Sequence, residues 1–510
     1  MSEQRNNKKK LSLVALILMI FTSVFGFANM PRSYYLMGYG AIIWFVFSAL
    51  FFFIPYAFMM AEYGAAFKNE KGGIYSWMQK SVGAKFAFVG TFMWYASYVI
   101  WMVNVSSGIW IPFSNTFFGK DTTQSWHLSL GFINLNSTQV IGILGILWIL
   151  FVTFVASHGL EKISKITSVG GTAVALLNIL LIIGAIIVLI GNKGQFLQDL
   201  NSQAFVSSPH PDYKSTIGML SFLVFAIFSF GGIEVVGGLV DETENAEKNF
   251  PKGLAISAIV ISIGYAVGIF LCGVFTNWQQ VLSSDKVHMA NVAYVMMQNL
   301  GLQMGLAVGL SQAASFTLGL WIARFVGLSM FLALTGAFFT LTYAPLKQLI
   351  EGTPKELWPG RISEIKDGMP KFAMKLQAGI VIVIIAAVSM GGSGASEFFT
   401  KLVLMTNVAM TIPYLFLSIA FISFKRNDEI VKPFEVYKNK TVATIAAVIV
   451  TITVGFANIF TIIQPSVEHG KLAQDTIWMV GGPIAFTIIA LALYNRYEKI
   501  CRKNKKNDVA

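Results

Sequence analysis

The most chemically loaded stretch of this 510-residue chain is Phe228-Ser229-Phe230-Gly231-Gly232-Ile233-Glu234, at the end of an apolar run that begins at Ile217. A carboxylate there can pair with a cationic group, act in a gate, or hold a break in the backbone. All three roles need a special setting. In a bilayer the carboxylate costs roughly 2.5 to 3.5 kcal/mol on insertion scales, and each glycine weakens a helix by about 1 kcal/mol. A plain membrane anchor would continue with leucine, so Gly231, Gly232 and Glu234 imply an interrupted span whose cost is offset by a site.

A second stretch has the same character. Thr22-Ser23-Val24-Phe25-Gly26-Phe27-Ala28-Asn29-Met30-Pro31 places hydroxyls and a glycine before an asparagine and a proline. Proline suits the first turn of a helix and breaks one in its interior, and asparagine is a good N-cap. A half-helix is therefore expected to begin near Asn29, with free N–H groups that suit a carboxylate. A proline kink in an ordinary helix is the plainer reading. Trp94, Tyr98 and Trp101, spaced by four and three, share one helical face. They fit either a substrate-lining wall or an interfacial aromatic belt. Glu62, Glu234 and Lys347 are candidates for gating or proton coupling, although Glu62 lies near a span end, where a snorkelling or salt-bridged structural glutamate is the plainer reading. Glu397 and Lys401, four apart, read as an intrahelical pair. Asn178 reads as an interhelical hydrogen-bond donor. The five histidines, His127, His158, His210, His288 and His469, lack any ligand spacing and read as solvated loop or helix-end residues. Cys272 and Cys501 support neither a disulfide framework nor a metal site, and no cofactor is implied.

The elements that must hold these residues are membrane spans. The chain is 55% hydrophobic and 12% charged with a mean hydropathy of +0.65, far too apolar for a soluble globular domain. Runs of about 20 apolar residues predict an all-α polytopic protein of about twelve transmembrane helices. The chain reads as one transporter domain over 1–510: a tail at 1–10, a first repeat at 11–190, a second at 217–424, two more helices within 441–494 and a basic tail at 495–510. The net charge of +12 would suggest nucleic acid on a soluble face, but the basic residues fall in the gaps between spans. With both termini cytoplasmic, 29 of the 37 lysines and arginines face inward. The apolar stretch 302–320 then reads as a surface helix, because a thirteenth span would carry 17 of those positives outward.

Interrupted first and sixth spans, five apart, point to two five-helix inverted repeats with a substrate near the bilayer midplane. Gly231-Gly232-Ile233-Glu234, Asp241-Glu242-Thr243, Asn249-Phe250-Pro251-Lys252-Gly253, Ala61-Glu62-Tyr63, Lys71-Gly72-Gly73 and Ala344-Pro345-Leu346-Lys347 together resemble the amino acid-polyamine-organocation superfamily, closest to its glutamate:gamma-aminobutyrate antiporter branch. The resemblance implies a leucine-transporter-like fold and a secondary amino acid carrier of the plasma membrane. It places the substrate's carboxylate at Thr22, Ser23, Phe25, Gly26 and Phe27, and its amino group near Phe228, Phe230, Gly231, Gly232 and Glu234. One departure is that Gly26 is flanked by Phe25 and Phe27, where many members have small residues. Exchange of amino acids is the leading expectation, with protons as possible co-substrate. A proton-coupled importer of an amino acid or polyamine is the alternative. Clustered histidines, paired aspartates or a nucleophile beside a base would mark an enzyme, and none is seen. No soluble region longer than a loop is present to support a membrane amino acid sensor. Oligomeric state is not legible.

Overall fold

The computed structural model describes residues 10–67, 73–129, 131, 134–157, 163–234, 243–391, 394–468 and 474–507, with backbone alone at 22–23, 163–171, 395–396 and 505–507. The fold is all-α and polytopic, as the apolar runs require; the one strand pair among the described residues joins Leu128–Ser129 to Asn134–Leu135.

The first span is broken where the sequence interrupts it. Helix α1 (Leu13–Val24) starts on Ser12, whose side chain accepts from Ala15 N at 3.3 Å, and stops before Phe25. Helix α2 (Asn29–Met37) resumes with Pro31 in its first turn. Asn29 is not the cap expected of it. It is the first helical residue, and the cap position, Ala28, makes no side-chain bond.

The second span comprises α3 (Gly40–Ser48), a π-helical segment Ala49–Phe53, and α4 (Ile54–Ala66). Helix α5 (Ile74–Ser81) leads to the third span, α6 (Ala84–Gly108) running through Ile109 into α7 (Trp110–Phe118). Helix α8 (Ser137–Ala156) is opened by a capping box between Asn136 and Gln139. Next come α9 (Ile163–Gly191) and the short α10 (Ser202–Val206). Helix α11 (Thr216–Ser229) ends at the sixth-span break: residues 230–234 form a turn, and the second half of that span, 235–242, lies outside the described residues.

Helix α12 (Ala246–Phe275) carries Pro251 near its start; α13 (Trp278–Val281) and α14 (Val292–Ala307) follow. Helix α15 (Gln312–Gly352) is one rod of 41 residues. This corrects the reading of 302–320 as one surface helix. Gly309, at φ +83°, turns the chain, and Ser311 caps a new helix on Ala314 N at 3.3 Å, so the second half of the stretch belongs to the eighth span. Helices α16 (Lys371–Ser389), α17 (Ala395–Arg426), α18 (Lys440–Glu468) and α19 (Gln474–Asn507) complete the chain. Among the described residues ten helical segments are long and apolar enough to cross a membrane, and the two interrupted spans stand beside them.

The two ends of the bundle differ. On the face near the N-terminus, Leu11 bridges Thr243, and Glu244 N donates to Leu11 O at 2.9 Å. On the opposite face the connections after α7, α9 and α12 meet: Gln124 Nε2 donates to Lys286 O at 2.8 Å, and Leu197 N donates to Val274 O at 3.2 Å. His288, expected to be solvated, is buried there. Its ring stacks on Phe399 (5.2 Å between centroids) and its Nε2 lies 3.7 Å from Asp121. His158 and His469 lie outside the described residues. Asn178 donates to Val174 O of its own helix at 3.0 Å, not across to a neighbour, because a carbonyl one turn back is already within reach.

Candidate functional site

One hydroxyl joins the two breaks. Tyr265, on α12, accepts from Gly26 N at 2.9 Å and from Asn29 Nδ2 at 3.3 Å, and its Oη lies 2.7 Å from Ser229 O and 3.2 Å from Val24 O. Gly26 N, Ser229 O and Val24 O are backbone groups that a continuous helix would have satisfied itself, and with no water in the bilayer core they need a partner. The same ring forms the floor of an aromatic cluster. Phe25, Phe45 and Phe230 stand 4.7, 5.0 and 5.3 Å from it by centroid. The π-helical segment of the second span sets Phe53 against Phe230 at 4.5 Å. Wide helical turns of this kind re-aim side chains and recur at functional sites.

The carboxylate sits on the far side of the sixth-span break. Gly232, at φ +108°, adopts a backbone conformation that only glycine takes without strain, and its N–H donates to Glu234 Oε2 at 3.2 Å. Gly231 is pressed so close to Tyr414 that a Cβ would lie 2.3 Å from its hydroxyl. Glu234 is 4% exposed. Tyr56, Tyr98 and Tyr414 lie within electrostatic reach of it, and the Trp94 indole borders it. Trp94 and Tyr98 pack edge to face at 5.1 Å, which puts the third-span aromatic face against this site. The hydroxyl of Tyr56 is buried without a hydrogen-bond partner among the described residues. A buried acceptor with tyrosine hydroxyls within electrostatic reach, next to a stretch of non-helical backbone, has the chemistry to hold an ammonium group.

The remaining candidates fall in three places. Phe25, Phe27 and Phe230 are buried at 7%, 1% and 0% exposure, so they pack the breaks instead of opening onto solvent. Phe228 is half-buried, with Phe225 at 6.3 Å. The side chains of Thr22 and Ser23 lie outside what is described. Glu62 and Lys347 stand apart from the breaks. Glu62 accepts from Lys425 Nζ, Val436 N and Tyr437 N, each at 2.8 Å, and Lys425 also reaches Glu435 at 2.5 Å. Lys347 pairs with Glu351 on its own helix at 3.8 Å. Glu397 and Lys401 form the expected pair at 3.5 Å.

Sequence reasoning missed Tyr265, Tyr56, Tyr414 and Lys425. The three tyrosines sit in apolar spans that no motif marks. Their signal is a polar tip inside an otherwise apolar run, the same signal that singled out Trp94 and Tyr98.

A vestibule of about 450 Å³ opens on the face opposite the N-terminus, between α2, α11, α17 and the ends of α18 and α19. Its lining includes Tyr35, Phe225, Trp278 and Asn407.

The family model described as "Amino acid permease" matches residues 11–491. The chain is 56% identical over 500 residues to the inner membrane transporter YjeM of Escherichia coli (strain K12), covering 98% of both chains. It is 25% identical over 444 residues to the aspartate/glutamate permease AcaP of Lactococcus lactis subsp. cremoris (strain MG1363), covering 86% of this chain and 84% of that one. To a glutamate/gamma-aminobutyrate antiporter of Lactococcus lactis subsp. lactis (strain IL1403) it is 20% identical over 498 residues, covering 96% and 91%.

Proposed function

The chain belongs to the amino acid permease family, a multi-pass membrane transporter and not an enzyme, and from that premise we propose that it is a secondary active amino acid carrier working by alternating access. We propose further that it exchanges one amino acid for another, in the manner of the glutamate/gamma-aminobutyrate antiporters it is similar to. The observation that carries the reading is the pairing of two backbone breaks through Tyr265, with Glu234 buried beside them. A rigid channel wall has no need of two unwound segments sharing one hydroxyl, whereas a carrier needs a site whose walls can change contacts.

In this reading 11–190 and 217–424 are the two inverted repeats of a single transporter domain, with both termini cytoplasmic. The substrate lies between Thr22 to Phe27 on one side and Phe228 to Glu234 on the other, against the Trp94 and Tyr98 wall. Glu62 acts as a clamp on the inner face, since its ion pair ties α4 to the end of α17 and its two backbone bonds tie it to the segment after α17. The deciding experiment is counterflow in proteoliposomes: external labelled amino acid should enter faster when the vesicles are preloaded with unlabelled amino acid. Absence of saturable flux for any amino acid would end the carrier reading. A second reading, proton-coupled import of an amino acid or polyamine, is favoured by the buried carboxylate of Glu234, and it would give uptake into empty vesicles driven by a pH gradient.

A further inference from the structure

The vestibule carries its own chemistry. Four carboxylates line it, Asp212, Asp285, Glu468 and Asp475, and among the described residues no lysine or arginine does. Lys401 is buried behind Asp475 at 3.7 Å and is shared with Glu397. Glu468 is held in place by Ser215 Oγ and Gln464 Nε2, each at 2.7 Å, which orient it without neutralising it. Deeper in, Asn407 lines the cavity at 2% exposure, and its Oδ1 has no hydrogen-bond partner among the described residues. This buried orphan is an acceptor, as are the rim groups, so the vestibule asks for a ligand rich in N–H donors. Its aromatic wall, Tyr35 and Trp278 stacked at 6.3 Å, adds faces that attract cations.

The cavity also leads somewhere. Val403, Asn407, Thr411 and Tyr414 recur at helical spacing on one face of α17. Asn407 and Tyr414 are seven residues apart on that helix, about 10 Å along its axis, and Tyr414 borders Glu234.

We infer that this vestibule is an outer subsite for a ligand of net positive charge, a diamine, a guanidino-amine or a basic amino acid, whose cationic group is held by Glu468, Asp285 and Asp212 and whose further N–H donors reach Asn407. The inference rests on the carrier reading and on the proposed orientation, and it narrows the substrate away from net-anionic amino acids such as glutamate. Cations are gathered at the rim and passed along α17 to a centre that ends in another carboxylate.

The test uses the full-length purified carrier and putrescine, agmatine, lysine, glutamate and gamma-aminobutyrate as probes, with equilibrium binding and counterflow measured separately. The expected result is that putrescine, agmatine and lysine bind, and that the Asp285→Asn/Glu468→Gln pair weakens that binding by about tenfold, as loss of charge-assisted bonds should. Asn407→Ala should weaken it independently, and raising salt should weaken wild type more than the charge variant. Glu234→Gln should abolish counterflow, and the cation binding that remains should still depend on Asp285 and Glu468. Glutamate binding as tightly as the cations, or cation affinity unmoved by the rim and Asn407 variants, overturns the subsite. Rim-dependent cation binding with no counterflow of any probe leaves the subsite standing and ends the carrier reading, so the two failures are distinct.

Discussion

At the scale of residues, the site is a matter of who satisfies broken backbone. Tyr265 does it with a single hydroxyl, so Tyr265→Phe keeps the ring packed while orphaning Gly26 N–H and the carbonyls of the breaks. An orphaned buried group costs about 1 to 3 kcal/mol; a lowered melting temperature and counterflow reduced at least tenfold should follow, measured on the same preparation. An unchanged melting temperature would show the hydroxyl to be incidental. Glu234→Gln keeps the shape and the acceptor toward Gly232 N–H but removes the charge. Transport and its pH dependence should both be lost while the protein still folds, and retention of both would make Glu234 structural. Glu234 and the glycines were legible in the sequence because they are wrong for lipid: a charge and two helix-weakening residues in an apolar run. Tyr265 was not, because a tyrosine in a span is ordinary until its partner, more than two hundred positions away, is seen.

At the scale of elements, two ties hold the ends of the bundle. At the end of the bundle near the N-terminus Glu62 and Lys425 are both buried, at 0% and 1% side-chain exposure. Breaking such a pair by removing one partner costs about 3 to 5 kcal/mol, whereas replacing both with apolar residues is often neutral. Glu62→Gln and Lys425→Met should each lower the unfolding midpoint sharply, and the double variant should recover much of the loss. Simple additivity would mean the pair is not coupled. On the other face His288 anchors the 282–291 connection, its Nδ1 accepting from Ala290 N at 3.2 Å. Burial pushes the His288 imidazole down from its ordinary value of 6.5, against the opposing pull of Asp121. The folded state then binds fewer protons than the unfolded one, so stability is present above pH 6.5 and falls as pH drops below it. Thermal melts between pH 7 and pH 5 should show that loss in wild type and less of it in His288→Phe. The histidine was read as solvated because nothing local marks it: Phe399 and Asp121, which enclose it, come from distant elements. Turns with local chemistry fared better. Pro31, the Asn136 capping box and the Glu397–Lys401 pair all act within one helix turn, the range over which sequence speaks directly.

At the scale of the whole molecule, the count of spans and the first break were readable from apolar periodicity and the distribution of charge. The long eighth helix was not, because Gly, Ser and Gln near 302–320 obscure where one helix turns into the next. The proposed topology makes a direct prediction. In a variant lacking Cys272 and Cys501, a cysteine at Ser284 should react with an impermeant maleimide in intact cells, and one at Lys355 should react only after permeabilisation. The reverse pattern would invert the carrier. Helix α15 has a further bearing. Its 41 residues make a rod about 60 Å long, against a hydrocarbon layer of about 30 Å, and tilt within the usual range does not absorb the difference. Where α14 turns into it, Leu306, Val308, Leu310 and Phe316 are exposed, and Ala307 packs on Gly191 at the end of α9. That apolar tip sits on the vestibule side, beyond the breaks. Hydrophobic mismatch is therefore felt first there, and the acyl-chain length of the surrounding lipid becomes a load applied to one end of the protein.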